Sequence, residues 1–193
     1  MKNVFFVMLL LTALSSISNA QTNSFGLSIG VGGGTIMQKG LDGGSSTELQ
    51  MSITAGFLYQ RKLKEKLHLQ TGLNWYNGSF TVTPSFQPGL NMTPSEYDIS
   101  LIYIPMFLMI DVAKYFFING GLLADIDITK DKHLTDQSGV GAGLGIGTEF
   151  SITDKLAIQV NPLANFHGLL VTKNEDYPHS VFDATIKVAL IFK

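Results

Sequence analysis

The chain has 193 residues, a formal net charge of −2, charged side chains at 15% and no cysteine. So low a charge content excludes a disordered, self-repelling chain, and near-neutrality leaves no electrostatic grip on nucleic acid. The missing cysteine excludes disulfides, thiol catalysis and cysteine metal sites, while 20 glycines, 13 phenylalanines and 45% apolar residues suit a chain that does not live in water.

Met1–Ala20 reads as an address. Lys2 precedes the apolar run Val4–Leu11, and Ser18-Asn19-Ala20 places small residues where a signal peptidase cuts, before Gln21. The run is too short for a helix that needs about 20 residues to cross a bilayer, so export and cleavage are expected, leaving residues 21–193 as one domain.

From Phe25 onward the apolar residues recur with period two. Phe25, Leu27, Ile29 and Val31 alternate with Gly26, Ser28, Gly30 and Gly32. Leu49, Met51, Ile53, Ala55, Phe57 and Tyr59 oppose Glu48, Gln50, Ser52, Thr54 and Gln60. Leu67, Leu69, Leu73 and Trp75 oppose His68, Gln70, Gly72, Asn74 and Tyr76. The segment 97–110 is less clean, turning apolar on both faces after Leu101, and its Pro105 predicts a bulge or strand end. Alternation returns over 116–127, where Asp125 and Asp127 share the polar face, and over 139–150, where glycines at 139, 141, 143, 145 and 147 precede Glu149. It closes with 156–161 and with 182–192, where Asp183 and Lys187 are polar-face residues. Strict alternation is the strand signal, and the count is about eight.

The connections, approximately 37–46, 62–66, 84–95, 112–114, 129–138, 153–155 and 172–181, alternate long and short. An all-β, eight-stranded, antiparallel up-and-down transmembrane barrel has this arrangement, with both termini on the short-turn, periplasmic side. A secreted lipocalin-like barrel would point its apolar face inward and carry many charges outward. Here the polar face is mostly Gly, Ser, Thr, Asn and Gln, which suits a crowded lumen, and the apolar face is assigned to lipid. Tyr59, Trp75, Tyr76, Tyr97, Tyr115, Phe116 and Phe192 near strand ends are expected to form the aromatic girdles.

Tyr59–Leu63 with Lys66–Leu73, Leu101–Leu108 with its Ile104-Pro105 pair, Tyr115–Gly121, and Gly143–Phe150 with Asp154–Leu156 follow one another in a specific order. In that order they resemble the PorT-like outer-membrane β-barrel proteins of Bacteroidetes over nearly all of the mature chain. The resemblance implies an outer-membrane location, lipid as surroundings, and an assembly machinery that reads the last strand at Phe192, here followed by Lys193. The family's namesake takes part in secretion of cargo proteins, and no residue carries that role to this chain.

Chemical motifs are few. The alternate glycines match no dinucleotide fingerprint and make room for bulky lumen side chains. Glu48, Asp125, Asp127, Glu149, Asp183 and Lys187 are expected to form a polar network inside the lumen. Asp125, Asp127 and Glu149 would either interact as carboxylates and bind a cation, or be paired by Lys187, His68 or His167, or be solvated at the extracellular end. His68, His133, His167 and His179 have no metal-ligand spacing, so neither metal nor cofactor is expected. A loop-end enzyme could be drawn from His133, Asp136 and Ser138 or from His179, Ser180 and Asp183, but neither set is distinctive. Asn77-Gly78-Ser79 and Asn91-Met92-Thr93 match glycosylation sequons without meaning in a bacterial envelope, and Trp75, Tyr76, Phe80 and Phe86 could instead form a partner patch. The leading expectation is a non-enzymatic outer-membrane barrel with a structural, adhesion or secretion-associated role. Small-molecule binding or limited transport through the lumen is second, and an enzyme third.

Overall fold

The computed structural model describes residues 23–38, 46–83, 95–130, 136–171 and 179–193. The expected leader Met1–Ala20 and parts of all four long connections (39–45, 84–94, 131–135 and 172–178) lie outside them, as do His133, Phe86 and the second sequon.

Eight strands follow in chain order: β1 (Asn23–Gln38), β2 (Ser46–Lys64), β3 (Leu67–Thr83), β4 (Ser95–Asp111), β5 (Phe116–Asp127), β6 (Gly139–Thr153), β7 (Leu156–Val171) and β8 (His179–Phe192). Each pairs antiparallel with its chain neighbour, and β8 closes on β1 from Phe25↔Phe192 to Gln38↔His179. Closure leaves no unpaired edge, so every backbone donor and acceptor of the wall has an inter-strand route to satisfaction. The short turns and both chain ends of the barrel gather at one end, called here the near end.

The period of two sorts side chains between the two faces of the wall. Leu27, Ile29, Leu144 and Leu170 are each more than 60% exposed on the outside. Ser52, Thr54, Gln70, Asn74, Asn119 and Asn161 are buried inside. An apolar exterior around a filled polar interior is the inside-out arrangement of a membrane-spanning barrel.

β4 departs from the polar-inside rule. Ile99, Leu101, Tyr103 and Phe107 project inward and join Ile36, Tyr76, Phe80, Leu123, Leu163 and Val181 in an apolar plug. That is why its sequence is apolar on both faces. Pro105 neither bulges nor ends the strand, contrary to expectation. The ladder to β3 only lacks pairs between Thr71↔Met106 and Asn74↔Tyr103, and its register is unchanged. A real bulge lies in β7, where Gly168 has φ 64° and the pairing to β6 shifts between Val140 and Ala142. That left-handed conformation favours glycine.

Two of the β6 glycines, Gly143 and Gly147, leave space for rings from β4 and β5. A Cβ on Gly143 would lie 2.6 Å from Cζ of Phe107 and 2.5 Å from Oδ1 of Asn165. On Gly147 it would strike the Phe117 ring and lie 2.7 Å from the Val160 carbonyl oxygen. Gly143→Val is therefore expected to lower unfolding free energy by about 1–3 kcal/mol, the usual cost of overpacking. Urea titration of the refolded barrel measures it, and unchanged stability would mean the lumen is looser than described.

Candidate functional site

The lumen is stacked in layers. At the near end its floor is a row of amides: Asn119 donates to Gln70 Oε1 at 2.8 Å, Gln70 to Gln159 Oε1 at 3.3 Å, and Gln159 to Glu149 Oε2 at 3.4 Å. Above it Lys187 Nζ donates to Asn74 Oδ1 at 2.7 Å and to the Tyr103 hydroxyl at 3.3 Å. Asp183 accepts from Ser52 at 2.7 Å and from Thr185. Asp125 Oδ1 lies 2.9 Å from His167 Nδ1, both side chains wholly buried, and Oδ2 accepts from the Gly168 N–H at 3.4 Å. The rings of Tyr76 and Tyr103 flank His167 at 5.5 and 5.3 Å. These polar groups sit among the plug residues, where low dielectric strengthens the Asp125–His167 hydrogen bond.

Between floor and plug remains a cavity of about 20 Å³, lined among others by Asn161, Asn165 and Lys187. It has the room of a single water, so the middle of the barrel is closed.

The expected six-residue network does not exist as one unit. Asp125, Asp183 and Lys187 are inside and hydrogen-bonded. Asp127 instead folds the far-end turn, accepting from the Thr129 and Gln137 N–H groups at 2.9 and 3.0 Å. Glu149 belongs to the near end, paired with Lys193 at 2.8 Å. The antiparallel register separates them, since Asp125 faces Gly139 across the ladder whereas Glu149 faces Gln159. The expected meeting of Asp125, Asp127 and Glu149 is thereby overturned, and so is solvation of Asp125, which is 4% exposed. The partner of Asp125 is His167; His68 pairs with Asp111 instead, at 2.9 Å. Glu48 lies on β2 opposite Thr35 and Thr81, its side chain outside the described residues.

Of the expected girdle, Tyr59, Trp75, Tyr115, Phe116 and Phe192 face outward. Phe25 packs tilted against Tyr59 with centroids 5.3 Å apart and Tyr115 stacks on Phe150 at 5.5 Å, giving the near end a band of rings. On β3 Trp75 is the last large outward apolar residue before Asn77 and Ser79, its indole N–H donating to Ser100 Oγ at 3.0 Å. Tyr76 and Tyr97, expected in the girdle, do not join it. Their strand parity turns both inward, Tyr76 fully buried in the plug and Tyr97 packed on Phe80 with ring centroids 5.5 Å apart.

The residues drawn as loop-end triads have structural tasks where they are described. Asp136 Oδ1 accepts from the Ser138 N–H at 3.0 Å, and Ser180 Oγ donates to the Gly168 carbonyl at 3.0 Å. The side chain of His179 lies outside the described residues.

The near end holds a feature that strand patterning misses. A cup of about 510 Å³ opens there, lined by Gln60, Lys62, His68, Met109, Asp111, Lys114, Tyr115, Phe117, Glu149 and Lys193, among others. The charges around this end are asymmetric. Arg61, Lys62, Lys64, Lys66, Lys114, Lys155 and Lys193 stand against Glu65, Asp111, Glu149 and Asp154. The described far end carries Glu96, Asp98, Asp127 and Asp136 against Lys130. Lys114 Nζ sits 4.9 Å from the Tyr115 ring centroid, and hydrogen bonding to that side chain holds its pKa above the ordinary lysine value. The signal was present in the chain as basic residues concentrated in short turns.

No protein-family model matches the chain, and no curated protein matches it. Among solved structures, the outer membrane protein OprG from Pseudomonas aeruginosa matches with a TM-score of 0.59 at 9% identity, over 88% of this chain and 94% of that one. AlkL in DMPC bilayers matches with a TM-score of 0.48 at 9% identity, over 93% and 92%. Ail, the attachment invasion locus protein of Yersinia pestis, gives 0.44 at 12% identity, over 88% and 99%. The likeness to OprG is one of fold. The chain is an all-β, eight-stranded antiparallel barrel with the architecture of outer-membrane barrels.

Proposed function

We propose that this chain is an integral outer-membrane barrel of the PorT-like kind, exported by its leader, with termini and near end in the periplasm. It acts without catalysis, through its long far-end connections or through partners, in envelope structure, adhesion or secretion. The assembly machinery reads its last strand at Phe192, and lipid surrounds the apolar wall.

One observation carries the non-channel reading: among the described residues, the amide floor and the apolar plug, with hydrogen-bonded Lys187, Asp183 and Asp125 set within it, leave a cavity of about 20 Å³ between them. Eight strands leave an interior just wide enough for side chains, and here they fill it.

Planar-bilayer recording tests the reading. Purified barrel inserted into a lipid bilayer is expected to give no steady unitary conductance. Reproducible steps of uniform size would overturn the filled-lumen account and favour transport.

A further inference from the structure

We propose that the near-end cup is a binding site for a small oxyanion, a phosphate or carboxylate group carried on a compact organic body or a lipid headgroup. No feature of the barrel's fold requires such a site, and the proposal goes beyond a role for the far-end connections.

The geometry comes first. At about 510 Å³ the cup falls within the roughly 300–1,000 Å³ of small-ligand pockets. The amide floor closes it from the rest of the lumen, so a ligand enters and leaves by the near end alone. Met109 and Phe117 give its inner wall an apolar surface for the ligand's body.

The charges come next. Both carboxylates of the cup already have partners, Asp111 in a hydrogen bond with His68 and Glu149 in an ion pair with Lys193. Lys62 and Lys114 have no carboxylate within ion-pair distance among the described residues, and they approach from different elements, β2 and the β4–β5 turn. A concave, low-dielectric wall focuses the excess positive charge of this end into the opening.

The floor adds a donor. Gln60 lines the cup, is 5% exposed, and its amide nitrogen meets only the sulfur of Met109 at 3.8 Å. A thioether is a weak acceptor, whereas a charged oxygen makes a bond about twice as strong as a neutral one. The nearly buried amide is thus placed to turn to an anion held by the lysines. Two cations above and an amide donor below define a recognition geometry for an oxyanion.

The test uses the whole barrel in uncharged maltoside micelles, with inorganic phosphate and acetate as probes at constant ionic strength. Amide chemical shifts of Gln60, His68, Phe117 and Ser151 are expected to move saturably with one of the two probes. The K62A/K114A variant, which alters only side chains at the barrel mouth, is expected to bind about tenfold more weakly. Glu149→Gln removes a negative charge from the cup and is expected to tighten binding by about twofold or more. A merely structural role for these residues would not move the two variants in opposite directions. In nanodiscs, replacing phosphatidylcholine by phosphatidylglycerol separates the sources. A weaker apparent phosphate affinity in wild type alone identifies a headgroup as occupant, and an unchanged affinity identifies a free anion. Shifts that never saturate, equal affinity in wild type and K62A/K114A, or weaker binding by Glu149→Gln would overturn the proposal.

Discussion

Replacing Ile146 by arginine is expected to destabilise the barrel in a phosphatidylcholine bilayer by about 2–4 kcal/mol, the cost of a cation at the midplane of a lipid-facing wall. Ile146 is 56% exposed and stands midway along the outward row of β6, between Leu144 and Thr148. Ile152, 55% exposed in the same row but at the near end, is the depth control. Its arginine variant is expected to cost only about 0–1 kcal/mol, because the charge reaches the headgroups. Reversible urea unfolding from vesicles measures both. Equal costs at the two depths, or no cost at either, would mean that water covers this face.

Removal of the Asp125 carboxylate is the second large effect. Asp125→Leu leaves His167 Nδ1 and the Gly168 N–H without their acceptor in a place where no water reaches. Breaking a buried pair in this way costs about 3–5 kcal/mol, most of it from the partner left behind. The double variant Asp125→Leu, His167→Phe removes both partners, and its ring can stay between Tyr76 and Tyr103. It is therefore expected to be more stable than Asp125→Leu alone. Costs that simply add would contradict the pairing, since a direct contact must show coupling.

How far the sequence reaches is clearest along single strands. On β6 the alternation of glycine with Val140, Leu144, Ile146 and Phe150 defines the strand, its two faces and its direction toward lipid. The same period places Asp125, Asp183 and Lys187 inside. Register is a different matter, because period two says which face a residue takes but not how far along the axis it stands. Asp125 and Glu149 share a face and a neighbouring ladder, yet they belong to opposite ends. Aromatic type was also a poor guide by itself. Tyr76 and Tyr97 lie near others of the girdle in sequence, but parity turns them into the plug, where their rings fill volume.

The cup escaped for a related reason. Its residues come one or two at a time from the near ends of β1 to β6, from the β4–β5 turn and from Lys193 after β8, so no linear motif contains it. The β6–β7 and β7–β8 pairings bring Lys193 beside Glu149 and Ser151, and the β3–β4 pairing brings His68 to Asp111. What linear reading could detect was the weight of lysine and arginine in the short turns.

The central claim is a closed barrel whose apolar face meets lipid. Its most direct test is semi-native gel migration of the protein from membrane fractions, with and without boiling. A membrane-bound protein whose mobility changes on boiling is the expected result, because a closed barrel resists unfolding in detergent until heated. A protein recovered in soluble form that migrates identically before and after boiling would contradict the account.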